Sequence, residues 1–478
     1  VSAFEEYRRQ EVASQRELLN RGAAGRERSI ARHPAYYENL RECLGGVVER
    51  GKRVLCLRSD VGQYLEWVDA AYGVGVEIAP ELNRIAREQR PQYEFHTVDS
   101  LEDLEVDGPF DYVLIVDAVN ELFDVQETLE GIAPLCTNQT RLVISFYNFL
   151  WQPLARLAQA RGLKREQPLQ SWLSSPNLRH LLNLAGFECI REQRSLLWPF
   201  RVPLLSRVLN GTLAKLPWIE KLCLVNTVVA RRQPARRDRP EASVSVVIPC
   251  RNEAGNVEAA VRRTPEMGAG TELLFCDDRS TDGTADEVRR MQAAFPERKI
   301  RLIEGPGINK AENVWAGFDA AENDVLMILD GDLAVPPEEL PKFYRALVEG
   351  RGEFINGTRM VYPMRDQAMR LANVFGNKLF SLLFSHILSR DISDTLCGTK
   401  VLWRGDYERL KPLRGSWGIE DRWGDYELIF GAAKLNLAHV DLPVHYMERT
   451  YGETKMTGRL RNAWVMLRMC LAAFRRLR

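Results

Sequence analysis

The chain has 478 residues, with 65 Lys plus Arg balancing 65 Asp plus Glu, and 45% hydrophobic and 27% charged residues. At roughly 150 residues per domain this is two to three domains of ordinary globular composition, which excludes a single small module, a mostly disordered chain and a collagen-like repeat. The even charge gives no bulk basic excess of the kind that wholesale nucleic-acid binding needs, so no nucleic-acid partner is expected.

Nine cysteines without a CxxC pair read as scattered thiols of a reducing, cytoplasmic setting rather than a disulfide frame or zinc site. The opening VSAFEEYRRQEVASQRELLNRG is charged and helical in pattern, unlike a secretory leader, and no long apolar run predicts a spanning helix.

Short β-branched runs alternate with helical-period segments throughout, the pattern of α/β domains with largely parallel sheets. RVLCL, Arg53 to Leu57, predicts a buried first strand, and VGVEI a second that carries Glu77 at its carboxyl end. Asp99 follows the short run EFHTV, and FDYVLIVDAVNEL places Asp117 at the end of the next strand. In doubly wound folds an acidic residue about twenty positions past the first turn can hold ribose hydroxyls.

On these residues, and on LRHLLNLAGFECI at Leu178 to Ile190, the stretch from Tyr36 to Ala230 resembles a class I S-adenosylmethionine-dependent methyltransferase of Rossmann-like fold. The resemblance implies S-adenosylmethionine held at Gly62, Glu77 and Asp99. The sequence departs from the family at the first turn, where a Gly-x-Gly-x-Gly loop is usual and Cys56, Arg58, Ser59, Asp60, Val61 and Gly62 stand instead. Side chains at Arg58 and Asp60 are expected to crowd the site. A live cofactor site and a scaffold that has lost catalysis both follow from this reading.

Arg231 to Ser243 holds five arginines and two prolines between two apolar runs and is expected to be a linker. The expected organisation is a methyltransferase-like domain over 1–235, a basic linker over 231–243, a second α/β domain over 244–458 and a basic amphipathic helix over 459–478.

The second half presents three strand-end motifs in order. VSVVIPCRNEAGNV leaves Pro249 at a strand end, with Arg251 and Glu253 in the following crevice. TELLFCDDRSTDGT delivers Asp277 and Asp278 to the same edge, suited to the imino and ribose donors of a nucleotide. DVLMILDGDLAVPPEEL ends a strongly apolar strand in Asp330-Gly331-Asp332. Two carboxylates shared with substrate phosphates are what Mg²⁺ or Mn²⁺ favours, and such an ion neutralises a departing diphosphate.

These residues resemble a family 2 glycosyltransferase of the GT-A fold, in the branch of polyprenyl- and dolichyl-phosphate sugar synthases. The resemblance implies donor contacts at Pro249, Arg251, Glu253, Asp277, Asp278, Lys310 and Asp330, and metal ligands at Asp330 and Asp332. Lys310 lies in GPGINKAENV, with Asn309 and Ala311 replacing the family's flanking glycines, and Arg279 also stands where glycine is usual. DTLCGTKVLWRGDYERL resembles the acceptor-side segment, and WGDYELIFGAAK the helix that puts Asp425 and Glu427 beside Asp332 as catalytic residues. ERTYGETKMTGR resembles a phosphate-binding motif carried by Arg449, Thr454 and Lys455.

Asn373 to Leu388 and Arg459 to Arg478 read as amphipathic helices, suited to a bilayer surface or to the protein's own core. The expected protein is a cytoplasmic or peripheral inverting glycosyltransferase that takes a UDP- or GDP-linked sugar and a lipid phosphate. A bifunctional methyltransferase/glycosyltransferase and a soluble acceptor are the alternatives.

Overall fold

Two sets of apolar strand runs build two separate sheets. The computed structural model describes residues 3–161, 173–233, 241–361, 371–418, 421–447, 449, 451 and 459–477. It divides into two compact units, Val1–Gln233 and Pro234–Arg478.

The first unit contains β1 Arg53–Leu57, β2 Tyr72–Glu77, β3 Glu94–Thr97, β4 Tyr112–Val116, β5 Arg141–Tyr147, β6 Phe187–Ser195 and β7 Val225–Arg232. Their order across the sheet is β3-β2-β1-β4-β5-β7-β6. β1 to β5 run parallel, and β7 is antiparallel to both of its neighbours. Alternate residues of β1 and β4 face opposite sides: Leu55 and Ile115 pack with Leu129 and Leu182, while Cys56 and Leu114 pack with Leu40 and Tyr64. The order reverses between β1 and β4, which opens a crevice at their carboxyl ends.

The second unit contains β8 Val244–Cys250, β9 Thr271–Asp277, β10 Lys299–Glu304, β11 Val325–Ile328, β12 Phe354–Thr358, β13 Lys400–Trp403 and β14 His439–Pro443, in the order β10-β9-β8-β11-β13-β12-β14. β13 runs antiparallel between β11 and β12. Register pairs Cys250 with Asp277 and Val247 with Ile328, so β8, β9 and β11 end at one edge. Pro249 is the penultimate residue of β8, opposite Cys276.

The two amphipathic segments of the second unit form helices Leu371–Leu388 and Arg459–Leu477. Each buries one face in the same core: Phe384 and Ile387 from the first, Met469 and Ala473 from the second, all around Tyr426 and Phe430. Leu379, Leu382, Trp464 and Leu471 remain on their exposed faces. Among the described residues no helix is long and apolar enough to cross a membrane.

Candidate active site

The carboxyl edge of the second sheet gathers most of the residues singled out from sequence. Asp278 is buried and accepts a hydrogen bond from the Gly307 amide at 2.7 Å, while the half-exposed Arg251 approaches its other oxygen at 3.5 Å. Asp277 Oδ2 accepts from Ser280 N at 3.3 Å, and its buried Oδ1 has no hydrogen-bond partner among the described residues. An orphaned acceptor at a strand end suits a ligand N–H. Glu253 turns inward instead: its carboxylate accepts from Asn256 Nδ2 at 2.8 Å and its amide donates to Thr284 at 2.9 Å, so it braces the loop. Arg279 adopts φ 58°, the left-handed conformation that makes glycine usual there, and its guanidinium lies against Gly307.

Asp330 and Asp332 follow β11 through Gly331, where a Cβ would sit 2.9 Å from the Pro249 carbonyl oxygen. Lys310 Nζ lies 2.6 Å from Asp330 and Arg449 2.8 Å from Asp332. Burial pushes the Asp330 carboxyl up, but Lys310, joined by Lys400 and Arg359, brings the group below its ordinary value. Asp332 moves the other way, raised by burial and by the neighbouring charge of Asp330. Burial opposes the charge on Lys310, yet Asp330 and Asp425 raise its pKa.

Two helix starts meet beside this pair. Asn309 caps helix Lys310–Ala320 by accepting from Glu312 N, and Asp421 caps helix Asp425–Lys434 by accepting from the amides of Trp423, Gly424, Tyr426 and Glu427. Gly424 has φ 82° and approaches Ala311 so closely that a Cβ would lie 3.1 Å from its Cα. Lys310 and Asp425 therefore occupy first positions of adjoining helices, whose dipoles favour anions.

Asp425 is buried and pairs with the fully buried Lys400 at 2.5 Å. Glu427, one side chain further, accepts from Gly415 N at 3.0 Å, and burial raises its pKa. The structure brings Asp332 and Asp425 to the Lys310 neighbourhood but ties Glu427 to the loop behind the helix. Thr454 and Lys455 lie outside the described residues.

Three contributors were not singled out from sequence. Lys400 and Gly398 belong to the quoted DTLCGTK segment, where their types alone signalled interest. Arg359 makes a bidentate pair with Asp394 at 2.7 and 2.8 Å, and no local signal marks it. Asp394 is fully buried and also accepts from Asn377, which fixes the turn leading to Gly398.

No cluster of three or more His, Cys, Asp or Glu side chains among the described residues would enclose a metal ion. The acidic pair nevertheless fits Mg²⁺ or Mn²⁺: both donors are carboxylates, and a divalent cation would offset the burial and the neighbouring Asp330 charge that raise Asp332.

The first unit has a cavity of about 640 Å³ at the carboxyl ends of β1, β2 and β4, with Tyr36, Tyr64, Tyr147, Glu77 and Asp117 in its wall. Arg58 and Asp60 adopt φ 54° and 58°, so the glycine-loop backbone persists with side chains added. These residues do not fit S-adenosylmethionine. The buried Glu77 carboxylate already accepts from Asp60 N at 3.2 Å and Ile78 N at 2.8 Å and faces Arg58 at 3.6 Å. Asp60 pairs with Arg26. Gly62 abuts Phe95 rather than the cavity. Asp99 is exposed and paired with Arg16, away from the cavity wall.

Residues 245–411 match the glycosyl transferase family 2 profile. A dolichol-phosphate mannosyltransferase of Pyrococcus furiosus is 34% identical over 120 residues, which is 25% of this chain and 33% of the relative. An undecaprenyl-phosphate 4-deoxy-4-formamido-L-arabinose transferase of Salmonella paratyphi B is 26% identical over 237 residues, 48% of this chain and 68% of the relative. The chain thus spans about a third of the archaeal relative's length and about two thirds of the bacterial one's. A SAM-dependent methyltransferase of Thermotoga maritima superposes with TM-score 0.37 at 16% identity, covering 46% of this chain and all of its own. The strand-end edge, the acidic pair and the sequence match agree: residues 245–411 form a glycosyl transferase family 2 domain.

Proposed function

We propose that the second unit transfers a sugar, with inversion, from a UDP- or GDP-linked donor to a polyprenyl-phosphate type of lipid phosphate. The observation that carries this reading is the meeting of Asp330, Asp332 and Lys310 with two helix starts at the edge where Asp277 and Asp278 also end.

Asp278 and the orphaned oxygen of Asp277 bind the donor's nucleoside, and Arg251 reaches toward its phosphates. Asp330 and Asp332 would hold Mg²⁺ or Mn²⁺, which supplies charge neutralisation to the diphosphate leaving group. Lys310 and the dipole of its helix add fixed positive charge at the same place. A lipid phosphate is already ionised, so its oxygen attacks without a strong base, and Asp425 with Lys400 orients the acceptor side. Arg449, at Asp332, meets a phosphate of donor or acceptor.

Purified protein with Mn²⁺ and a panel of sugar nucleotides, assayed with and without a short polyprenyl phosphate, tests the reading. Lipid-dependent release of one nucleotide is expected. Release with water-soluble acceptors alone would replace the lipid phosphate, and silence with every donor would refute the transfer.

A further inference from the structure

We propose that residues 197–222 of the first unit dock on an anionic lipid bilayer. The inference does not depend on the glycosyltransfer reading. Leu204 and Trp218 are 75% and 78% exposed, and Phe200 is 60% exposed. Val208 and Leu222 of the same segment are exposed as well. Soluble proteins rarely expose so many large apolar side chains in one short segment without a partner for them.

The backbone holds the two most exposed residues outward. Leu204 has φ 64° and ψ −52°, and Leu205 N donates to Pro203 O at 2.7 Å, closing a three-residue turn around it. Trp218 has φ 73° and ψ −45°. Bulky residues seldom adopt positive φ, and such strain persists where the surrounding structure imposes it. That surround is firm here. Trp151 Nε1 donates to Leu222 O at 2.8 Å, Asn148 Nδ2 to the carbonyls of Lys221 and Cys223 at 2.9 Å, and Asn210 exchanges two hydrogen bonds with the Trp198 backbone. Trp151, Leu154 and Phe200 also line the cavity of the first unit, so the apolar tips that stand clear of it are Leu204, Val208, Trp218 and Leu222.

Charge selects the occupant. Between 197 and 222 the sequence places Arg207, Lys215 and Lys221, besides an Arg201 that pairs with Glu38, against Glu220 as its one acid. Lys221 Nζ lies 4.9 Å from the Trp218 ring centroid. A tryptophan at the water boundary with a lysine beside it, basic residues among exposed leucines and a fixed apolar tip match an anionic bilayer surface. A second copy would set the same basic residues against themselves.

Flotation of the full chain with phosphatidylcholine vesicles, about one third phosphatidylglycerol and free of prenyl phosphate, tests this. Glycine accepts positive φ, so Leu204→Gly/Trp218→Gly removes the apolar tips without unfolding the loop, and its thermal midpoint should equal or exceed the parent's. Its vesicle partitioning should fall about tenfold or more. Lys215→Gln/Lys221→Gln should weaken binding and flatten its salt dependence, whereas Trp464→Ser/Leu471→Ser in the second unit should leave it unchanged. Failure of the parent to float, equal binding to pure phosphatidylcholine, or full binding by the double-glycine variant would overturn the proposal. So would a parent dimer that the double-glycine change splits. Sugar-nucleotide turnover without lipid is the separate readout for the second unit.

Discussion

Gly398 lies so close to Asp330 that a Cβ on it would sit 2.2 Å from the carboxylate oxygen Oδ2. The acidic pair therefore depends on a glycine 68 positions downstream, held there by the turn that Asp394 anchors. Gly398→Ala must swing Asp330 away from Lys310. Nucleotide release should fall about a hundredfold, with the thermal midpoint moved by only a few degrees, since no core side chain is lost. Parental kinetics in this variant would show that Asp330 need not stand where it does.

Asp332→Ala separates the metal from the fold. The carboxylate is crowded by Asp330, and its partner Arg449 is one-third exposed, so removing it leaves no buried charge stranded. Divalent-metal-dependent turnover should drop by about two orders of magnitude or more while the urea midpoint stays put. Normal turnover in this variant would defeat the metal assignment.

The strand-end part of this site was legible because parallel strands buried on both faces read as unbroken apolar runs, and the residue after each run must lie at the sheet edge. That logic places Asp277, Asp278 and Asp330 without knowledge of pairing. It does not tell what Glu253 or Glu427 touches: one accepts from Asn256 Nδ2 and the other, on a helix, from Gly415 N. Spacing reveals a residue's place on an element, not the partner that turns its side chain. Arg359 and Asp394 are 35 positions apart and carry no shared motif, so their pairing emerges only when β12 and β13 align. The glycine replacements show compensation of the same kind: Ala311 takes a family glycine's place where Gly424 opposite supplies the missing room. In the first unit, Arg58 and Asp60 retain left-handed backbone but fill the loop with charge, as their types predicted.

Asp425 and Glu427 share a helix turn but differ in what their removal exposes. Asp425→Asn leaves Lys400 fully buried without a counter-ion, a loss of roughly 3 to 5 kcal/mol by analogy with other broken buried pairs. Lys400→Met added to that variant should restore much of the urea stability while turnover stays low. Glu427→Gln keeps the contact to Gly415 N and should retain turnover within about threefold. A Glu427→Gln variant as inactive as Asp425→Asn would make Glu427 a catalytic residue after all.

The Arg359–Asp394 pair predicts how the second unit responds to acid. Burial alone would raise the Asp394 carboxyl, but the bidentate guanidinium and the amides of Arg359 and Leu396 bring it down to about 2. A carboxylate with a depressed folded-state pKa stabilises the fold at pH values above its unfolded value and loses that contribution as pH falls through the folded value. The window runs from pH about 4 to about 2, and the contribution is roughly 2 kcal/mol. Asp394→Asn should therefore lower stability at neutral pH and flatten the acid limb of its pH dependence. Because Asp394 fixes the turn ahead of Gly398, turnover should fall at neutral pH even where the variant remains folded. Urea unfolding of parent and variant between pH 2 and 7, read alongside nucleotide release, checks both effects, and parallel stability curves would show that Asp394 is not the group that titrates.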